Sequence, residues 1–63
     1  MSTRYEVAWQ HRGQTQTHVC PFRDDYHAGE FFDQLQKLGG LNWLALREIQ
    51  NHELRRWEAA EQA

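Results

Sequence analysis

The sequence predicts a small α+β domain in which a β-hairpin, a helix and a second β-hairpin follow one another, and the one helix covers a small antiparallel sheet. Three observations predict this fold: alternating large and polar residues near the start of the chain, apolar residues at helical spacing in the middle, and two short apolar segments at the end. The chain has 63 residues, 40% hydrophobic and 25% charged, which is typical of one globular domain over residues 1–63.

The first hairpin is predicted near the N-terminus. Residues 5–11 alternate large and polar side chains, and the predicted strand turns one face inward with these residues: Tyr5, Val7 and Trp9. Gly13 predicts the turn, and residues 15–20 predict the returning strand because they are rich in β-branched side chains. Pro21 has no backbone N–H for a strand ladder, so we expect it to end that strand.

The helix is predicted over residues 24–38. Asp24 or Asp25 stands where an N-cap belongs, and Gly39 provides a C-terminal stop. Between these ends, apolar side chains recur at three- and four-residue spacing: Ala28, Phe31, Phe32, Leu35 and Leu38. Gly29 in a helix interior costs about 1 kcal/mol relative to Ala, so we expect it to mark a close approach of the helix to the sheet.

The C-terminal part of the chain fits two interpretations. Helix propensity favours a second helix, because residues 44–50 and 53–60 are dominated by strong helix formers without Gly or Pro. Burial favours strands at about 43–49 and about 53–58, because a lone hairpin under one helix is marginally stable in water. We therefore predict a second hairpin turning at residues 50–52, and the alternative is a hairpin followed by two helices.

The composition limits the classes of function. The single cysteine, Cys20, cannot form an internal disulfide, which favours a reducing, cytoplasmic location. No apolar run is long enough to cross a bilayer, so we expect no membrane partner. Nine acidic residues against seven basic ones give a net charge of −2, so we do not expect direct nucleic-acid binding.

The candidate chemical groups do not form a recognised catalytic or metal-binding motif. His18, Cys20 and His27 could hold zinc with an open fourth position, but they lack the paired spacing that places two ligands on one metal. Cys20 could pair with His18 or His11 as a thiol and base, but nothing in the sequence supplies an oxyanion hole. We therefore expect no enzymatic activity, no metal and no cofactor.

The aromatic and arginine content favours protein recognition. Three Trp, three Phe and two Tyr exceed what so thin a core readily hides, and Trp and Arg are enriched at interfaces. Trp57 and Tyr26 are the aromatic residues that we expect to be exposed. Two candidate partner-binding patches follow, one acidic on the helix and one near the C-terminus: Asp24, Asp25, Glu30 and Asp33 in the first, and Arg55, Arg56 and Trp57 in the second.

Two further expectations concern the partner. The thin core of so short a chain favours a homodimer, which would add burial. The alternative function is binding of single-stranded nucleic acid, in which arginines would clamp phosphates and sheet aromatics would stack on bases. The aromatic residues for that alternative are the following: Tyr5, Trp9, Trp43 and Trp57.

The order of elements resembles that of small phage-encoded accessory proteins. The segments that carry the resemblance are these: the acid-capped helix with residues 31–35, the Gly-Gly stop at 39–40, residues 44–51 and residues 53–57. Some anti-CRISPR proteins share this ββαββ order, and the resemblance in length and order covers nearly the whole chain. It implies a compact, non-enzymatic inhibitor that binds a host defence complex, either a protein or a protein–nucleic acid assembly. No functional residue of such proteins aligns with a position here.

Overall fold

The computed structural model describes residues 4–48 and 52–59, which contain four strands and one helix. In chain order these elements are β1 (Tyr5–His11), β2 (Thr17–Phe22), α1 (Asp25–Leu38), β3 (Leu41–Glu48) and β4 (His52–Glu58). The strands form one antiparallel sheet in the order β2-β1-β3-β4. The predicted α+β class and its hairpin, helix, hairpin order are confirmed, and the alternative with two helices is wrong.

The first hairpin closes through a glycine turn and ends later than predicted. Gly13 has a φ of 81°, a value that favours glycine, and the Gln14 N–H donates to the His11 carbonyl at 3.1 Å. The strand β2 begins at Thr17 and continues through Pro21 to Phe22, so the prediction that Pro21 ends the strand was wrong. The physical reason is the position of β2 at the edge of the sheet, where a missing N–H is tolerated.

The helix begins and ends at the predicted residues. The Asp24 side chain caps it by accepting a hydrogen bond from the His27 N–H, and Gly39 follows it with a φ of 73° while its N–H donates to the Leu35 carbonyl. The expected close approach at Gly29 was wrong, because a Cβ atom built there meets nothing within 4 Å. The small residue that faces the sheet is Ala28, which is fully buried one position earlier.

The second hairpin forms because burial outweighs helix propensity. Leu44 and Leu46 lie in the sheet rows of Trp9 and Val7, so the strand places both leucines in the core. Residues 50 and 51 of the predicted turn, together with Ile49, lie outside the described residues. His52, the last residue of the predicted turn, is the first residue of β4.

The core lies between α1 and one face of the sheet, which we call the helix side. Its buried residues are Val7, Ala28, Phe32, Leu41, Leu44 and Leu46, and no polar or charged side chain of the described residues is buried. Burying each of the larger apolar side chains contributes about 1.5–3 kcal/mol. Trp57 is half-buried against this core, so the expectation that it is exposed was wrong.

Candidate interaction surfaces

The exposed side of α1 carries a stripe of polar side chains. Since Ala28 and Phe32 face the sheet, residues at helical spacing on the opposite side point to solvent. This outer stripe consists of Tyr26, Glu30, Asp33 and Lys37, all of which are exposed. The four acids of the predicted patch are exposed, but Lys37 shares the outer stripe, and Asp24 and Asp25 lie at its N-terminal end.

Asp24 is committed to the helix cap. Its carboxylate accepts the backbone N–H of His27 at 2.9 Å and lies 2.8 and 2.9 Å from Nδ1 of the same histidine. The backbone hydrogen bond above all, and then the hydrogen bond with the side chain, hold the pKa of Asp24 below its ordinary value. The negative charge of this residue therefore serves the N-terminus of α1.

Tyr26 is the most exposed aromatic residue among those described, with 66% of its surface accessible. Its expected exposure is confirmed. The Glu30 carboxylate, one helical turn along the stripe, raises the pKa of Tyr26 by hydrogen bonding and by its negative charge. Glu30 therefore favours the protonated form of the phenol.

Asp33 and Arg55 connect the two predicted patches. Nη2 of Arg55 lies 2.9 Å from Oδ1 of Asp33, and the Arg55 guanidinium carbon lies 4.3 Å from the centroid of the Phe32 ring. The predicted acidic patch on α1 and the predicted C-terminal patch on β4 therefore meet at this ion pair. The charges of both residues are partly satisfied within the chain.

The predicted C-terminal patch is divided between the two faces of the sheet. Side chains alternate along a strand, so Arg55 and Trp57 lie on the helix side while Arg56 lies on the other face. Trp57 stands opposite Leu44 and packs against the core. The three consecutive residues therefore do not form one continuous contact surface.

The second face of the sheet, which we call the open face, was predicted to be functional only in the nucleic-acid alternative. No described element covers it. At its centre Ala8 and Ala45 stand opposite each other and are 0% and 1% exposed, although neither belongs to the core cluster. The larger side chains around them are Glu6, Gln10, Val19, Trp43, Arg47 and Arg56. Two alanines at matching positions of two strands are the sequence signal for this centre, which the larger side chains around it cover.

The charges of the open face are paired with one another. Nη2 of Arg47 lies 2.9 Å from Oε2 of Glu6. Arg56 binds both Glu53, at 3.2 Å, and Glu58, and its guanidinium carbon lies 5.4 Å from the centroid of the Trp43 ring. Both arginines of this face therefore have carboxylate partners.

This arrangement bears on the nucleic-acid alternative. Of the four aromatic residues named for base stacking, only Trp43 lies on the open face, because Tyr5, Trp9 and Trp57 pack against the core on the helix side. Single-strand binding needs a row of exposed aromatics beside unpaired cations. The described part of the open face does not provide such a row.

His18 and His27, two of the three candidate zinc ligands, contact different residues. The His18 ring stacks on Trp9 with ring centroids 5.5 Å apart and lies 5.1 Å from the His11 ring. His27 instead pairs with Asp24 at the start of α1. Within residues 4–48 and 52–59, no group of three or more His, Cys, Asp or Glu side chains is arranged to hold a metal ion.

Comparison of the chain with protein-family models, with curated proteins and with solved structures finds no match in any of the three. In the described residues, no helix combines the length and the apolar character that crossing a membrane requires. The surfaces described above therefore carry the functional argument.

Proposed function

We propose that this chain is a small, non-enzymatic protein-binding module that contacts its partner through the N-terminal half of α1. The contact surface consists of Asp25, Tyr26 and Glu30, which are exposed. The observation that carries the proposal is the exposure of Tyr26, a large aromatic side chain, one helical turn from the exposed Glu30.

Tyr26 has the physical properties of an interface anchor. Tyrosine is enriched among the residues that dominate binding energy, because its ring offers a large apolar area and its hydroxyl can still form hydrogen bonds. It also has few rotatable bonds, so fixing it in a complex costs little conformational entropy. An exposed tyrosine on a helix therefore supplies binding energy without loosening the core beneath it.

The acidic residues beside Tyr26 indicate the chemistry of the partner. Asp24 and Asp33 have partners within the chain, His27 and Arg55 respectively. Asp25 and Glu30 are therefore the acids through which the surface attracts a complementary one. A basic patch on the partner fits them, and such complementarity speeds association and selects against acidic surfaces.

We extend this proposal to the class of inhibitor that the ββαββ order resembles. In that role the chain acts in the cytoplasm, and the acidic end of α1 occupies a basic groove of a host defence complex, in the manner of an anti-CRISPR inhibitor. The single Cys20 is compatible with a reducing compartment. Expression of the chain in a host with an active defence complex should restore phage growth, and undiminished defence would contradict this extension.

Affinity capture from the native host tests the binding surface. Tagged wild-type chain should retain a partner identified by mass spectrometry, and both Tyr26→Ala and the charge reversal Asp25→Lys with Glu30→Lys should lose it. Leu38→Ala is the matched control, because it removes an exposed apolar side chain of the same helix outside the contact surface. Equal retention of the same proteins by all four chains would contradict the proposal.

A further inference from the structure

We infer that the open face binds a second copy of this chain, forming a twofold dimer in which two sheets pack face to face. The inference does not depend on the proposed function, because α1 lies on the other side of the sheet. It rests on the order of the charges on the open face and on the exposed side chain of Val19.

The centre of the open face consists of small residues. Ala8 and Ala45 form its middle row together with Val19 on β2 and Arg56 on β4. Packed sheets lie about 10 Å apart and interdigitate their side chains. Ala8 and Ala45 are 0% and 1% exposed, so the larger side chains around them already cover this centre, and those side chains would form the contact with the facing sheet.

The charges of the open face are self-complementary. Glu6 and Arg47 stand opposite each other on β1 and β3, the two central strands. A twofold axis parallel to the strands and midway between β1 and β3 places each residue of β1 over the residue of β3 in the same row. Glu6 of each copy then faces Arg47 of the other, and opposite charges meet twice.

The same twofold axis also relates the outer strands of the two copies. The axis places β2 of one copy over β4 of the other, so Val19 lies over Arg56 in the middle row. Val19 is 51% exposed and can cover the aliphatic stem of that arginine. In the row of Glu6 and Arg47 and in the middle row of Ala8 and Ala45, no like charges face each other.

The area of the face limits the strength of the dimer. Four strands of six to eight residues, spaced about 4.8 Å apart and rising about 3.3 Å per residue, give about 400 Å² of flat area per copy. Two copies contribute about 800 Å² before side-chain relief is counted, below the ~1,000 Å² that a stable, specific interface should exceed. We therefore expect a dimer that dissociates on dilution.

Sedimentation velocity over a dilution series tests the dimer. The wild-type chain should pass from twice the monomer mass at high concentration to the monomer mass at low concentration. Glu6→Arg and Arg47→Glu should each be monomeric, since each single change opposes like charges across the axis. An equimolar mixture of these two variants should recover the dimer, because one copy then carries arginine at both positions and the facing copy carries glutamate at both.

Mixing the two variants distinguishes an effect on the interface from an effect on the fold. Each single variant also loses the pair within its own chain, but mixing cannot restore an intrachain pair. Recovery of the dimer on mixing therefore supports the twofold arrangement. A wild-type chain that stays monomeric at all concentrations would overturn the inference, as would folded single variants that stay monomeric when mixed.

Val19 provides a second test on an exposed residue that the fold does not need. Val19→Glu places a carboxylate over Arg56 and should tighten the dimer several-fold, whereas Val19→Arg should weaken it. Circular dichroism should show that both variants are folded. Equal dissociation constants for these two variants would overturn the inference even if the variants of Glu6 and Arg47 failed to fold.

Discussion

The Arg55 guanidinium stacks on the Phe32 ring at 4.3 Å and forms an ion pair with Asp33 at 2.9 Å, which joins β4 to α1. Phe32 is buried, whereas the two charged side chains are about half exposed. The arginine therefore covers an edge of the core with its planar group while its charge stays in contact with water. This contact ties the last described strand to the helix.

The ion pair itself should contribute little to stability. A double-mutant cycle with Asp33→Asn and Arg55→Gln should give a coupling energy below about 1 kcal/mol, because solvent screens charges at exposed positions. Added salt should reduce this coupling further. Urea unfolding of the four chains measures it, and a coupling of several kcal/mol that salt does not change would contradict this assignment.

Removal of the Phe32 ring should affect the fold strongly. Phe32 is 2% exposed, so Phe32→Ala should lower the free energy of unfolding by about 3–5 kcal/mol. A chain of this length has only about 3–9 kcal/mol in total, and we expect the variant to be largely unfolded. Leu38→Ala on the same helix, at a residue 80% exposed, should change stability by less than about 0.5 kcal/mol. Thermal unfolding, followed by circular dichroism, compares the two variants. Similar losses of stability would contradict the position of Phe32 in the core.

Gly29 is a site at which alanine should stabilise the chain. The position is inside α1, and an added Cβ meets no atom within 4 Å, so Gly29→Ala should raise the free energy of unfolding by about 1 kcal/mol. Gly39→Ala is the control, because its φ of 73° strains any residue with a side chain. Urea unfolding should move the two variants in opposite directions, and destabilisation by Gly29→Ala would show that the helix does approach another group there.

Asp24 should make the free energy of unfolding depend on pH in the acidic range. Because its pKa is lower in the folded chain than the ordinary value of 3.8, the folded state favours the carboxylate. The resulting stabilisation is complete above the unfolded pKa and is lost as the pH falls through the folded pKa.

Asp24→Asn tests this dependence, because asparagine also caps helices but carries no charge. The variant should lose less stability than the wild type on going from about pH 5 to about pH 2. Asp25→Asn removes a neighbouring carboxylate that does not cap the helix and is the matched control. Melting temperatures over this range measure the effect, and an identical acid dependence of wild type and Asp24→Asn would contradict it.

The elements could be predicted because each follows from local chemistry or from burial. Asp24 and Gly39 define the ends of α1, and the alternation of Tyr5, Val7 and Trp9 defines β1. The second hairpin could not be predicted from local propensity, because its residues favour a helix. Its strands were predicted because the core has to be covered. Pro21 was wrongly predicted to end β2 because the sequence does not show which strand lies at an edge.

The candidate surfaces could be predicted only in part. The acids of α1 follow from helical spacing, but the pairing of Asp33 with Arg55 depends on how β4 docks beside the helix. Likewise, the division of Arg55, Arg56 and Trp57 between two faces depends on the strand assignment. The open face combines residues of all four strands, so its charge symmetry appears only once the register of the strands is known.

The most direct measurement of the central claim is an NMR titration of the ¹⁵N-labelled chain with the captured partner. The account predicts that the largest shift changes fall on Asp25, Tyr26 and Glu30, and that the amides around Ala8 and Ala45 stay unchanged. Shift changes concentrated on the open face, with α1 unaffected, would contradict the claim that the helix binds the partner.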